Sequence, residues 1–159
     1  MEKLSQRIIH KTVGFTMVEL LAVLLVTSVT MVMTVPIFHQ TIANYQLKQA
    51  AGRMAWEIRS QQQEAISSGA SRQIEFFYYG GYYQVLKPAK RNVYLPEGVE
   101  YAYITLPKSG GNRFLLTFNI SGGPNFGGTI ALTNGFGDQM YVIITPVIGR
   151  VRVSDVPPE

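Results

Sequence analysis

Gly14-Phe15-Thr16-Met17-Val18-Glu19-Leu20-Leu21 opens a long apolar run and decides how the first part of the chain is interpreted. Between Phe15 and Phe38, Glu19 is the only ionisable side chain. A helix over 15–38 would be roughly 36 Å long at ~1.5 Å per residue, enough to cross a ~30 Å hydrocarbon core. The run therefore predicts that residues 15–38 form the membrane-spanning first half of a longer N-terminal helix.

A short basic segment precedes this run. Lys3, Arg7 and Lys11 stand against Glu2, so the positive-inside tendency places the N-terminus in the cytoplasm and the C-terminal domain outside, at the cell surface. In a secretory signal the small-residue cleavage site follows the apolar stretch, whereas here the small residue Gly14 precedes it. Charge and hydropathy alone leave two alternatives open, a processed leader and an uncut signal anchor in the cytoplasmic membrane.

The residue inventory argues against an enzyme. The chain has 159 residues, a net charge of +4, no Cys and two His, and its only Asp residues are Asp138 and Asp155. Disulfides and thiolate metal sites are excluded, and no Ser/His/Asp set or metal site can be assembled, so we expect no cofactor. A carboxylate pair from Glu75, Glu97 and Glu100 and a phosphate cradle at Gly122–Gly128 are the enzymatic alternatives. Solvated carboxylates and a plain turn are favoured over them.

Beyond the apolar run, residues 39–69 have the pattern of an amphipathic second helix half. A stripe at helical spacing predicts the buried face, and Trp56 is assigned to the core together with Met54 and Ile58. Gly69 is a natural C-terminal stop. The stripe consists of Leu47, Ala50, Ala51, Met54, Ile58 and Ala65.

The pattern changes to strands after Gly69, so residues 70–159 are predicted to be an antiparallel β domain. Two aromatic strands flank Gly80-Gly81, which predicts a hairpin. Turn clusters separate the other candidates and give six or seven strands in all. The candidate strands are 73–79, 82–86, 99–106, 113–119, 128–133, 140–145 and 150–154.

The opening motif resembles the class III leader of type IV pilins and pseudopilins, at Gly14, Phe15, Glu19 and Pro36. The resemblance implies that residues 1–14 are a leader, that a prepilin peptidase cuts between Gly14 and Phe15, and that its methyltransferase activity methylates the new amine of Phe15. It also implies that Glu19 neutralises that amine when the chain assembles with other major and minor pseudopilins.

The C-terminal part, over residues 114–154, resembles the GspH/FimT branch of minor pseudopilins. The Gly-rich turn at Gly122–Gly128 and the element Gly149-Arg150-Val151-Arg152 carry this resemblance. It implies a pilin-like α+β fold, in which the long helix packs on the antiparallel sheet. It also implies a role most like that of the ComGD-type pseudopilins of competence machines, which take up DNA. A type II secretion pseudopilus and a type IV pilus priming complex are the alternatives.

DNA is the remaining partner that the sequence suggests. Arg150 and Arg152 are two residues apart, so on a strand both point to one face and suit phosphate contact. FimT-like members are associated with DNA binding through this element, and an ordinary solvated edge pair is the alternative. Tyr78, Tyr79, Tyr82 and Tyr83 are candidates for stacking on single-stranded DNA, with strand-face packing preferred.

Overall fold

The protein is described by a computed structural model that covers residues 14–158, with the side chains of 33–37 left out. The chain divides into two compact units, Met1–Phe38 and His39–Glu159. Within the described residues, one α-helix, α1 (Met17–Ser68), is followed by nine β-strands. The α+β class predicted from the sequence is confirmed.

The first unit holds the start of α1, whose apolar side chains are exposed all round the helix. Among the described residues, no helical segment combines the length and the hydropathy that a bilayer crossing needs. The membrane-spanning role assigned to 15–38 stays a prediction. The exposed apolar side chains include Phe15, Met17, Val18, Leu21, Leu24, Leu25, Met31 and Val32.

The second unit contains two antiparallel sheets. The five-stranded sheet has the order β3-β2-β1-β6-β5 and the four-stranded sheet the order β4-β7-β8-β9. A 3-10 turn at Tyr78–Gly80 joins β1 to β2, so the predicted hairpin is confirmed. The strands are β1 Arg72–Phe77, β2 Tyr82–Val85, β3 Arg91–Tyr94, β4 Val99–Ile104, β5 Lys108–Gly110, β6 Arg113–Phe118, β7 Gly128–Asn134, β8 Gln139–Ile144 and β9 Val151–Ser154.

The amphipathic part of α1 packs on the inner faces of both sheets and closes one core. The predicted stripe, from Leu47 to Ala65, is buried throughout. Strand residues complete the core in alternating positions, for example Ile74 and Phe76 of β1. The helix ends at Ser68, and Gly69 takes the left-handed conformation (φ +61°) that its predicted stop requires.

Trp56 corrects the predicted core. Its side chain is 63% exposed, whereas Met54 and Ile58 are fully buried. Two residues along a helix correspond to a rotation of about 200°, so Trp56 points away from the stripe that holds Met54. Its place between two core residues in the sequence is therefore no indication of burial.

The strand count also differs from the prediction, with nine strands in two sheets instead of six or seven in one region. The additional strands are β3 and β5. In β3 only Val93 is buried, and Lys108-Ser109-Gly110 of β5 is wholly exposed, so neither carries an apolar alternation. Both are edge strands held by pairing to one neighbour, which is a tertiary effect that local composition does not encode.

Candidate functional site

The start of α1 carries a capping arrangement around Glu19. The backbone N–H of Glu19 donates to Thr16 Oγ1 at 3.2 Å, and the backbone N–H of Thr16 donates to Glu19 Oε2 at 3.3 Å. This is the reciprocal Thr-x-x-Glu capping box, which satisfies two donors that a helix start leaves unpaired. This pairing was not predicted, although Thr16-Met17-Val18-Glu19 is its sequence signature.

In the capping box the Glu19 carboxylate accepts from the N–H of Thr16, the residue directly after Phe15. An anion in the first turn is also stabilised by the helix dipole. Residues 1–13 of the predicted leader lie outside the described residues, and cleavage between Gly14 and Phe15 stays a prediction. The chemistry available here is a carboxylate held close to the position where cleavage would create a free amine.

Arg150 and Arg152 are both exposed, with buried Val151 between them. The strand begins at Val151 rather than at Arg150 as predicted, although Arg150 still accepts a hydrogen bond through its carbonyl from Thr145 N–H at 2.9 Å. Within residues 14–158 neither guanidinium has a hydrogen bond or an ion pair. Both cations are therefore available, Arg152 on β9, the edge strand of the four-stranded sheet, and Arg150 directly before it.

Two helix side chains hold this segment in place. Arg59 Nη2 donates to the carbonyl of Val151 at 2.7 Å. Gln62 Nε2 donates to the carbonyl of Gly122 at 2.8 Å and lies 3.5 Å from the carbonyl of Ile148. Arg59 and Gln62 position this segment, and neither was predicted from the sequence, since no local pattern marks them.

Gly149 has a structural reason to be glycine. Its φ is +68°, and a Cβ at this position would lie 2.5 Å from Gln62 Nε2 and 3.0 Å from Pro124 Cδ. A side chain would therefore displace Gln62 and open the contact between the Gly-rich turn and the loop before β9.

The loop between β8 and β9 contains a γ-turn centred on Val147. The N–H of Ile148 donates to the carbonyl of Pro146 at 2.8 Å, and Val147 adopts φ +67° with its side chain 86% exposed. A β-branched residue at positive φ is strained. The loop forms a further hydrogen bond, from Gly149 N–H to the carbonyl of Thr145 at 3.0 Å, while Val147 is in this strained conformation.

The Gly-rich segment 122–128 is a turn, as predicted. The Asn119 Oδ1 atom accepts from the backbone N–H groups of Ser121 and Gly123 at 3.0 and 2.9 Å. The chain continues from this segment into the strand β7. A phosphate cradle would instead lead into the N-terminus of a helix, so the segment lacks the element that would complete such a site.

The four tyrosines proposed for stacking are not one group. Tyr83 is buried in the core, and Tyr78 donates through its hydroxyl to the carbonyl of Ala102 at 2.9 Å. Tyr79 is 80% exposed, and Tyr82 stacks on Phe77. Strand-face packing is thus confirmed for Tyr83, while Tyr79 and Tyr82 remain accessible.

The candidate carboxylates are also separated. Glu75 lies on β1 of the five-stranded sheet, where its Oε1 is 3.7 Å from Arg113 Nη1. Glu100 lies on β4 of the other sheet, and Glu97 is exposed in the loop before β4. In the described part of the chain, no group of three or more His, Cys, Asp or Glu is arranged to hold a metal ion.

Two buried tyrosines have shifted pKa values. Burial, with a smaller contribution from the nearby Glu57 carboxylate, raises the pKa of Tyr83 to about 12. Burial also raises the pKa of Tyr101, with the neighbouring Tyr83 hydroxyl adding to the effect. Among the described residues, neither hydroxyl has a hydrogen-bond partner. Both groups belong to the core, so the shifts are consequences of folding rather than marks of a catalytic site.

A solved structure of a known protein has a similar fold. The chain is similar in structure to the minor pseudopilin EpsH from the type 2 secretion system of Vibrio cholerae, with a TM-score of 0.55 and 15% sequence identity. The match covers 69% of this chain and 96% of that chain. No family model and no curated protein matches the sequence. The long helix packed on antiparallel sheets is therefore a pseudopilin-like fold.

Proposed function

We propose that the protein is a minor pseudopilin, a non-enzymatic subunit of a filament of pseudopilins. The observation that supports this proposal most directly is the helix α1. Its first part exposes apolar side chains on every side, and its second part closes the core of a pseudopilin-like domain. In the part of the chain that the structure describes, those apolar side chains are exposed. Exposed surfaces of this kind mark contacts with a membrane or with other protein chains.

The same proposal assigns roles to the start of the chain. A prepilin peptidase removes residues 1–14, and its methyltransferase activity methylates Phe15. Before assembly, residues 15–38 hold the subunit in the cytoplasmic membrane with its C-terminal domain outside. In the filament, Glu19 neutralises a Phe15 amine. The carboxylate position seen in the capping box, close to residue 15, supports this pairing.

Three machines remain candidates for the filament. The Gly149–Arg152 element and the Gly-rich turn favour the GspH/FimT branch and a ComGD-like role in DNA uptake during competence. The likeness to EpsH, which belongs to a type 2 secretion system, favours a secretion pseudopilus. We place the competence role first because the Arg pair is exposed and unpaired among the described residues, and we keep secretion and pilus priming as alternatives.

Two substitutions at one position test the filament role. Glu19→Gln keeps an oxygen that can accept from Thr16 N–H but removes the charge, whereas Glu19→Val removes both. In cells that express the partner pseudopilins, both variants should insert into the membrane, and both should be depleted from the sheared filament fraction. Filament incorporation of Glu19→Gln at the parent level would contradict charge pairing, and incorporation of both variants would contradict any role of Glu19 in assembly.

DNA contact through Arg150 and Arg152 is a second proposed function. The two exposed guanidinium groups suit phosphate oxygens, which carry most sequence-independent affinity for DNA. Arg59 and Gln62, which fix the backbone around them, support a preformed position. Each phosphate contact adds about 0.9 to the slope of log K against log salt, so loss of both should lower that slope by roughly 2.

A control variant removes the same number of positive charges from another part of the surface. Duplex DNA would be titrated against the parent, against Arg150→Ala/Arg152→Ala and against Lys87→Ala/Lys90→Ala, whose lysines are exposed outside this segment. We expect a large loss of affinity only for the arginine pair. Equal losses in both variants would indicate a net-charge effect, and unchanged binding by the arginine variant would refute the site.

A further inference from the structure

A row of aromatic rings crosses the outer face of the five-stranded sheet. Cross-strand register pairs Tyr94 with Tyr82, Tyr82 with Phe77, and Phe77 with Arg113. Phe77 and Tyr82 stack at 4.4 Å between ring centroids and an interplanar angle of 14°, and Tyr82 lies 5.4 Å from Tyr94. The neighbouring Phe76, Tyr83 and Val93 point into the core, so the row faces away from α1.

A slot opens at the Arg113 end of this row. It is a shallow, open depression of about 430 Å³. A Cβ on Gly111 would meet nothing within 4 Å, and one on Gly110 would meet only Arg113 Nη2, at 3.5 Å. The positive φ values of Gly110 and Gly111, +143° and +57°, account for these two glycines, and a Cβ on the third lining glycine, Gly80, would lie 2.5 Å from the Tyr82 ring. The lining includes Phe77, Tyr79, Tyr82, Gly110, Gly111 and Arg113.

Tyr79 stands at the slot as a positioned but uncovered ring. It is 80% exposed, yet it meets Tyr78 edge to face at 5.1 Å and 88°. Tyr78 is in turn anchored through its hydroxyl to Ala102. A ring that contributes little buried area but is held by an anchored neighbour has the geometry of a binding side chain rather than of a core side chain.

The groups available in and around the slot are π-faces, the exposed amide of Asn112 and one cation. On the same sheet face Gln84 donates to Asn92 at 2.5 Å and Glu75 faces Arg113, whose Nε also donates to the carbonyl of Gly110 at 3.4 Å. The Arg113–Glu75 contact is long, at 3.7 Å, and the Arg113 side chain is 51% exposed, so donors of its guanidinium remain for a ligand. Such a site suits a planar ring attached to an anion.

We propose that this slot binds an unpaired base of single-stranded nucleic acid, which stacks on Phe77, Tyr79 or Tyr82 while Arg113 contacts the adjacent phosphate. Base–aromatic stacking with a nearby arginine is how proteins hold single strands without reading sequence. A sugar ring would also stack on these rings and could bond to the exposed amide of Asn112, but the half-exposed guanidinium of Arg113 favours the phosphate that accompanies a base. The site is independent of Arg150 and Arg152 and of the filament role.

The test uses the full-length chain in detergent and a fluorescent oligothymidylate at low salt. Tyr79→Leu keeps an apolar side chain but removes the ring, and Tyr45→Leu removes another exposed tyrosine, on α1, as the matched control. We expect Tyr79→Leu and Arg113→Gln each to weaken single-strand binding about tenfold, the fold-change of one lost stack or ion contact. Tyr45→Leu should bind as the parent does.

The arms of the experiment separate this proposal from DNA contact by the arginine pair. Arg150→Ala/Arg152→Ala should lose duplex binding and keep the Tyr79-dependent component of single-strand binding. Parent-like binding of oligothymidylate by both Tyr79→Leu and Arg113→Gln would overturn the slot, as would a parent that does not bind it at all. Tyr79-dependent binding of soluble oligosaccharides without binding of oligothymidylate would overturn the proposed base in favour of a glycan.

Discussion

Gly149→Ala probes the junction that positions the exposed arginine pair. The left-handed conformation at φ +68° costs an Ala roughly 1–2 kcal/mol. The new Cβ, 2.5 Å from Gln62 Nε2, also forces that amide away from the carbonyl of Gly122, and a lost hydrogen bond adds about 0.5–1.5 kcal/mol. The free energy of unfolding should fall by about 1.5–3.5 kcal/mol in all.

Urea unfolding followed by far-ultraviolet circular dichroism measures this change on the unit His39–Glu159, which contains the whole core cluster. Gly135→Ala is the matched control, because a Cβ there meets nothing within 4 Å and its φ is not in the left-handed region. That control should stay within about 0.5 kcal/mol of the parent. If Gly149→Ala unfolds at the same urea concentration as Gly135→Ala, the tight junction between α1, the Gly-rich turn and the loop before β9 does not exist.

Three further predictions concern stability. Because Tyr83 keeps its proton to about pH 12 when folded but releases it near pH 10 when unfolded, it should lower the free energy of unfolding by about 1.4 kcal/mol per pH unit between those values, in addition to the fall from Tyr101, whose pKa burial also raises. In alkaline urea titrations Tyr83→Phe should make the fall less steep by that amount, and an equally steep fall in the variant would exclude a contribution of Tyr83. Arg91→Ala should lower the free energy of unfolding in urea by about 1–3 kcal/mol, which is more than Glu57→Gln should. The reason is that Arg91→Ala leaves the buried carboxylate of Glu57 without its partner at 2.6 Å. A larger loss for Glu57→Gln would contradict the pairing. Gly52→Ala, at an exposed position inside α1 with no atom within 4 Å of its new Cβ, should raise the melting temperature through about 0.5–1 kcal/mol of helix propensity, and a drop would mean that Gly52 is in a contact.

Where one local pattern determined the outcome, the sequence predicted the fold well. The stripe from Leu47 to Ala65 has helical spacing and a single inner face, so its burial follows directly from periodicity. Gly69 and the Gly80-Gly81 hairpin also follow from the conformations that glycine permits. Trp56 shows the limit of this reasoning, because residue type alone assigned it to the core while its helical position turned it outward.

Features that depend on register between distant segments were beyond sequence reasoning. The short edge strands β3 and β5 exist through pairing with β2 and β6. The contacts of Arg59 and Gln62 span 92 and 86 residues to Val151 and Ile148, so no local motif could indicate them. For the same reason the exposed arginine pair was predicted, but the helix side chains that position it were not.

The slot on the outer sheet face required three-dimensional information as well. Phe77, Tyr82 and Arg113 come together only through the register of β2, β1 and β6. In the sequence, Tyr79 and Tyr83 look alike, because both are tyrosines beside the hairpin glycines. The structure separates them by burying Tyr83 and leaving Tyr79 uncovered.

The intact mass of the protein extracted from membranes tests the central proposal, a processed pseudopilin, most directly. Coexpression with an active prepilin peptidase should give a chain that begins at Phe15 and carries one added methyl group, while cells without the peptidase should yield the full chain. A Gly14→Val variant should remain unprocessed in both. Retention of residues 1–14 beside an active peptidase, in a sample where a known prepilin is cut, would contradict the account.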